Sequence, residues 1–147
     1  MDRYVVGFAF GPHMQTVLLI EKTHPEWQKG KWNGIGGHIE EGETPIVAMV
    51  REAFEETGIE RGFNWQHYAT MRGEDFEVFV FKGEAFDAPV CPSDSGEFVA
   101  WQSIPLQCPR IANLDFLIEA AKVCHSFNHL EITYGKNGDT SQVKDGE

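Results

Sequence analysis

The chain opens with an acid and a base close together and then runs apolar. Residues 3–10 and 15–21 each read as a strand, and Gly11, Pro12 and His13 between them supply turn chemistry. Residues 22–37 are rich in Gly, Lys and Trp, which predicts a loop holding a short strand. The spacing over 44–57 predicts a helix, with Thr44 as N-cap, Pro45 at the first helical position and Gly58 just past the end. Residues 63–71 and 76–86 read as two strands around Gly73. In the second, Phe76, Val78 and Val80 alternate with Glu77, Phe79 and Phe81, so apolar groups occupy both faces, as in a strand covered on both sides.

Residues 88–96 hold prolines and small polar groups and predict a loop, followed by a short strand at 98–101. Between 111 and 123, Ile111, Leu114, Leu117, Ile118 and Ala121 recur at helical spacing, with Asp115, Glu119 and Lys122 on the wet face. Residues 130–134 suggest a last strand and 135–147 a frayed polar tail, giving a single domain over 1–134. Strands mixed with two helices place the chain in the α/β class, with a layered sandwich as its architecture.

The helix at 44–57 is chemically unusual. At 100° per residue, Ile46, Val47, Val50, Ala53 and Phe54 gather on one side, and Glu52, Glu55 and Glu56 on the other. The expectation is that the apolar side packs into the core and the acidic side faces outward. Like charges at i,i+4 destabilise a helix, and acids near its C-terminus oppose its dipole. A bound divalent cation, hard and oxygen-seeking, reverses the sign of both effects. The alternative is an ordinary solvated acidic face.

Composition narrows the function classes. With 12 Lys+Arg against 23 Asp+Glu, the chain lacks the basic footprint of a duplex nucleic-acid binder. A polyphosphate remains possible as substrate if cations lie between the two sets of negative charge. The three cysteines are isolated, which argues against a disulfide framework or a cysteine zinc site and suggests reduced thiols in a cytoplasmic protein. No apolar run is long enough to span a membrane, and residues 1–10 lack the layout of a signal peptide.

Gly37-His-Ile-Glu-Glu-Gly-Glu43, seven residues, then Arg51-Glu-Ala-Phe-Glu-Glu-Thr-Gly-Ile59 resembles the Nudix box, G-x5-E-x7-R-E-U-x-E-E-x-G-U. Every fixed position is present, and only Ala53 is smaller than the usual aliphatic. The resemblance implies the Nudix fold, a mixed sheet sandwiched between helices (α/β/α). It implies Mg²⁺, or Mn²⁺ in its place, held by Glu52, Glu55 and Glu56. Glu43 would assist, and a backbone carbonyl near Gly36 or Gly37 would complete the shell. Glu52 or a neighbouring acid would take the proton from the attacking water, and Arg51 would orient a carboxylate with a two-pronged bond. The family often adds an acid from a later loop, for which Asp94 and Glu97 are the candidates.

Lys31-Trp32-Asn33-Gly34-Ile35-Gly36-Gly37 is similar to a segment of the MutT-like branch that hydrolyses oxidised-purine nucleoside triphosphates, and residues 111–118 are similar to a second. That implies Asn33 and Asn113 at the base, Lys22 at a phosphate, and Trp32 or Trp101 as a stacking surface. The alternatives are a turn role for Asn33, a helix-start role for Asn113 and a core role for the tryptophans. The implied reaction is hydrolysis of a (d)NTP or 8-oxo-dGTP to monophosphate and pyrophosphate by a monomer or homodimer. ADP-ribose, a dinucleoside polyphosphate, a nucleotide sugar and a non-catalytic nucleotide-binding module are the alternatives. His125 and His129, four apart, lack a third ligand by sequence, which argues against zinc.

Overall fold

The computed structural model describes residues 1–85, 97–124, 129–135 and, for the backbone, 140–146. The elements run β1 (Asp2–Phe10), β2 (Thr16–Glu21), β3 (Trp32–Asn33), β4 (Ile35–His38), α1 (Pro45–Thr57), β5 (Gln66–Arg72), β6 (Phe76–Glu84), β7 (Phe98–Ser103), α2 (Leu114–Val123), β8 (His129–Tyr134) and β9 (Thr140–Gly146). One mixed sheet has the order β3-β2-β1-β6-β5-β8-β9, with β4 paired to β1 and β7 to β2. β1 with β6 and β5 with β8 are parallel, and the other pairings are antiparallel.

The centre of this sheet is buried on both faces, and its sequence shows why. Along β1, Val6, Phe8 and Phe10 join a core cluster with Leu114, Leu117 and Ile118 of α2. Val5 and Ala9 join a second cluster with Ala48, Met49 and Ala53 of α1. In β6, Val80 enters the first cluster and Phe81 the second, with Phe79 packed against it. The doubly apolar strands therefore lie between the helices, the α/β/α sandwich expected of them.

α2 is held by more than its apolar face. The buried Tyr68 hydroxyl donates to Leu117 O at 2.7 Å. Lys82 Nζ donates to Ala121 O at 2.9 Å and also to Cys124 O, placing a cation at the negative end of the helix. The helix begins at Leu114, three residues later than the apolar spacing suggests. Residues 109–111 are used otherwise: Trp32 N donates to Pro109 O at 2.8 Å and Ile111 N to Trp32 O at 3.1 Å, so this stretch makes a single parallel bridge to β3 at Arg110. At the other end, residues 140–146, read from sequence as part of a polar tail, pair along β8 as β9. Nothing in their composition marks them as a strand.

The orientation of α1 overturns a sequence expectation. The apolar stripe faces solvent: Val47 is 52% exposed and Phe54 49%, with Ile46 and Val50 also exposed. The buried residues are Ala48, Met49, Ala53, Glu56 and Thr57, and Glu52 is half-buried among them. Small side chains let the helix come close to β1 and β4, and this turns its acids inward. Met49→Ala should therefore cost about 2–5 kcal/mol by opening a cavity. Phe54→Ser and Val47→Ser should stay within about 0.5 kcal/mol. Urea unfolding of the three variants checks this, and the reverse order would mean the helix packs by its other face.

Candidate functional site

α1 forms where its ends are satisfied. Thr44 Oγ1 accepts from Val47 N at 3.4 Å, and Pro45 occupies the first turn. Gly58, with φ 77°, closes the helix in the left-handed region and returns its N–H to Phe54 O at 2.9 Å. The helix is thus fixed along its length against β4, and Glu52 and Glu56 meet that strand's backbone.

Glu56 is only 7% exposed, and its Oε2 accepts from Gly36 N at 3.2 Å. Glu52 lies over Gly37 so closely that a Cβ there would come within 2.5 Å of Glu52 Oε1. Any side chain at Gly37 would fill the space that the carboxylate occupies. Burial and the nearby Glu52 push the Glu56 carboxyl up to about 8, against the opposing pull of Lys22 and of the Gly36 N–H, with Glu97 adding to the rise. Burial also raises Glu52, and the Arg51 guanidinium beside it works in the opposite direction.

Arg51 ties the outer acids together. Its Nε and Nη2 take both oxygens of Glu43, at 2.8 and 2.9 Å, in a bidentate pair. Nη1 reaches Glu52 Oε1 at 3.0 Å and Glu55 Oε2 at 3.3 Å, and Nη2 also donates to His38 O at 2.9 Å. The bond to Arg51 holds Glu43 below the usual carboxylate range and Arg51 above its own. Glu43 and Glu55, assigned to metal by resemblance, are thus joined to the guanidinium here.

On the far side of the cluster, Glu97 is buried, and its Oε2 accepts from Thr23 N at 2.8 Å. Its other oxygen is 3.5 Å from Lys22 Nζ. Lys22 and Glu97 both act on Glu56 electrostatically, so the end of β2 and the start of β7 share one field with α1. Thr23 has no sequence signal of its own. Asp94, the other late-loop candidate, lies outside the described residues, as does His125.

The donor set of Glu52, Glu56 and Glu97 is all carboxylate, which suits a hard cation such as Mg²⁺. The repulsion that lifts Glu56 is the kind a cation relieves, so these residues fit the metal. Among the described residues, no three acid, imidazole or thiol groups stand close enough together to hold a metal ion as they are arranged here. One oxygen of Glu52 is bonded to Arg51 instead.

The base-side residues divide. Asn33, the last residue of β3, accepts at Oδ1 from Gly34 N at 2.7 Å, and its Nδ2 donates to Gln28 at 3.4 Å. Trp32 is buried in the α2-side core, edge-to-face with the exposed Phe98 at 6.2 Å. Trp101 packs against the α1-side core near Gly11. Asn113 stands at the N-cap of α2 but does not cap it. Its Nδ2 donates instead to Tyr134 Oη at 2.8 Å and to Met71 Sδ at 3.3 Å. His129 Nε2 meets Thr70 Oγ1 at 2.9 Å, as does His67 Nε2, and burial pulls His67 down to about 4.

Two shallow clefts, of about 350 and 280 Å³, lie around residues 59–64 and along Ile46, Val50 and Trp65. Neither is lined by the carboxylate cluster or by Asn113.

The family model described as NUDIX domain matches residues 2–122. Among solved structures, this chain is similar to a MutT protein from Bacillus halodurans, at 18% identity and a TM-score of 0.73, covering 99% of this chain and 97% of that one. It is similar to the NUDIX domain of Shewanella oneidensis NrtR, crystallised with ADP ribose, at 22% identity and a TM-score of 0.70, covering 82% and 85%. A MutT NUDIX hydrolase from Burkholderia pseudomallei matches at 18% identity and a TM-score of 0.67, covering 81% and 96%. At these identities the three structures establish the fold.

Glu56 has a folded-state value raised from 4.5 to about 8, so its stabilising contribution is complete below 4.5 and is lost as pH rises through about 8. Without divalent metal, the melting temperature should fall over this window. Glu56→Gln should remove that part of the fall. An unchanged pH slope in the variant, measured in chelator, would contradict the burial of an ionising Glu56.

Proposed function

The chain belongs to the NUDIX family, and on that premise we propose that it is a divalent-metal-dependent pyrophosphohydrolase of the MutT-like type. The substrate is a nucleoside triphosphate, with dGTP or its 8-oxo form foremost, cleaved to monophosphate and pyrophosphate. Such an activity clears damaged nucleotides from the precursor pool. The observation that carries the reading is the inward acidic face of α1: Glu52 and Glu56 packed on the Gly36-Gly37 backbone, within the same field as Lys22 and Glu97. A protein gains nothing in stability by burying repelling carboxylates. They make sense as the grip on a cation and, through it, on a polyphosphate.

In this reading Glu52, Glu56 and Glu97 would hold Mg²⁺, with the backbone carbonyl of Gly37 beside them, and Glu43 and Glu55, bonded here to Arg51, would assist. When bound, the cation neutralises phosphate charge and favours attack by water. Glu52 takes the proton of the attacking water. Burial raises its affinity for that proton toward the working pH, as general-base catalysis requires. Arg51 fixes Glu52 from the side through its bond at 3.0 Å, which limits the carboxylate to one orientation. Lys22, 3.5 Å from Glu97, would meet a phosphate oxygen in this reading. Asn113 faces the base.

Chromatographic analysis of the products, pyrophosphate from nucleoside triphosphates, AMP and ribose 5-phosphate from ADP-ribose, and two nucleotides from dinucleoside polyphosphates, with and without Mg²⁺, tests the proposal. The expected result is metal-dependent release from a purine triphosphate. Glu52→Gln should lower kcat by about two to four orders of magnitude. Full activity in that variant removes Glu52 as the base, and turnover of ADP-ribose alone would move the chain to another substrate class.

A further inference from the structure

Asn113 stands in a position where an asparagine normally caps a helix, and it forgoes the cap. Its amide is spent on two groups from other strands, Tyr134 of β8 and Met71 of β5. A thioether sulfur has lone pairs and no hydrogen to donate. The amide atom 3.3 Å from Met71 Sδ must therefore be the nitrogen. Tyr134 agrees with this. Its hydroxyl lies 3.6 Å from the same sulfur and donates to it, leaving a lone pair for the amide N–H at 2.8 Å.

Two acceptors thus take the two amide hydrogens and fix the side chain one way round. Among the described residues no donor meets Asn113 Oδ1, and no buried polar side-chain atom is left unpaired, so this oxygen is open to solvent. Two residues upstream, Ile111 N bonds to Trp32 O, so Asn113 sits on the stretch beside the strand that leads into Gly36 and Gly37. Tyr134 lies beyond residues 2–122, which match the family model, so membership of the family assigns it no role.

From this we infer that Tyr134, with Met71, is a positioning residue that makes Asn113 a pure hydrogen-bond acceptor toward the base and so sets which nucleobase the enzyme prefers. An oxygen with two lone pairs suits an edge bearing adjacent N–H donors, such as the N1–H and amino group of a guanine-type base. It disfavours an edge that presents lone pairs there. The inference rests on the proposed nucleotide reading, since it concerns the base of the same substrate.

The test is kcat/KM for dGTP, dATP, dCTP and dTTP in the wild type, Tyr134→Phe and Met71→Leu. Phenylalanine keeps the ring and removes only the hydroxyl, and leucine keeps the volume and removes only the sulfur. In Tyr134→Phe the amide is free to turn, and the ratio of the guanine nucleotide to the others should shrink by about tenfold, through KM, the size expected for one lost polar discrimination. Met71→Leu should shrink it less, and the double variant most. A loss of folded protein alone lowers every substrate by the same factor, so a uniform fall, or an unchanged ratio, overturns the inference while leaving nucleotide hydrolysis in place. A wild type that hydrolyses the four nucleotides without preference also overturns it. A wild type that hydrolyses none of them removes the proposed function, and the inference falls with it.

Discussion

The structure turns on one contact, the seating of two carboxylates of α1 on the backbone of β4. Glu56 takes the Gly36 N–H at 3.2 Å, and Glu52 fills the space that a side chain at Gly37 would need. Both acids sit on the same side of the helix as Ala48, Met49 and Ala53, which form its apolar contact with the sheet. The packing face and the acidic face are therefore one face. The fold holds the acids in place, and their mutual repulsion leaves them in need of positive charge.

Much of the surroundings follows from that need. Arg51 joins Glu43, Glu52 and Glu55 from the solvent side, and Lys22 approaches from the end of β2 with Glu97 beside it. Neither cation reaches Glu56 through a hydrogen bond, and its proton affinity remains high. Exposed ion pairs contribute little to stability, so the value of Arg51 lies in orientation. It ties the three carboxylates to a single guanidinium and so fixes their arrangement relative to one another.

The opposite face of the sheet carries a different device. Where the α1 side gathers charge, the α2 side gathers a few directed polar groups in an apolar setting. Asn113 is bound by Tyr134 and Met71, and Tyr68 and Lys82 hold α2 itself. An apolar surface with a small number of placed donors and acceptors is how small-molecule sites obtain selectivity. The two sides meet along β3 and β4: the backbone of β4 bonds to Glu56 of α1, and that of β3 bonds to residues 109–111 ahead of α2.

The sequence by itself determined the class of fold, the helix from Pro45 to Thr57 with its caps, and the box of acids from Gly37 to Ile59. These are local properties: period, capping residues and fixed spacing. It singled out Asn113 with a base-side role and a helix-start role as alternatives, and it placed the strands to within a few residues. It pointed the wrong face of α1 at the core, because Ile46, Val47, Val50 and Phe54 outweigh two alanines in any count of apolar side chains. Only the tertiary structure showed that close approach to β4 matters more than apolar bulk there. It alone decided that residues 109–111 serve β3 rather than α2, and that residues 140–146 pair as a strand. Tyr134, Met71 and Thr23 carried no signal because each acts on a partner far away in the chain. Spacing along a sequence records neighbours within an element, and what crosses between elements is settled when they pack.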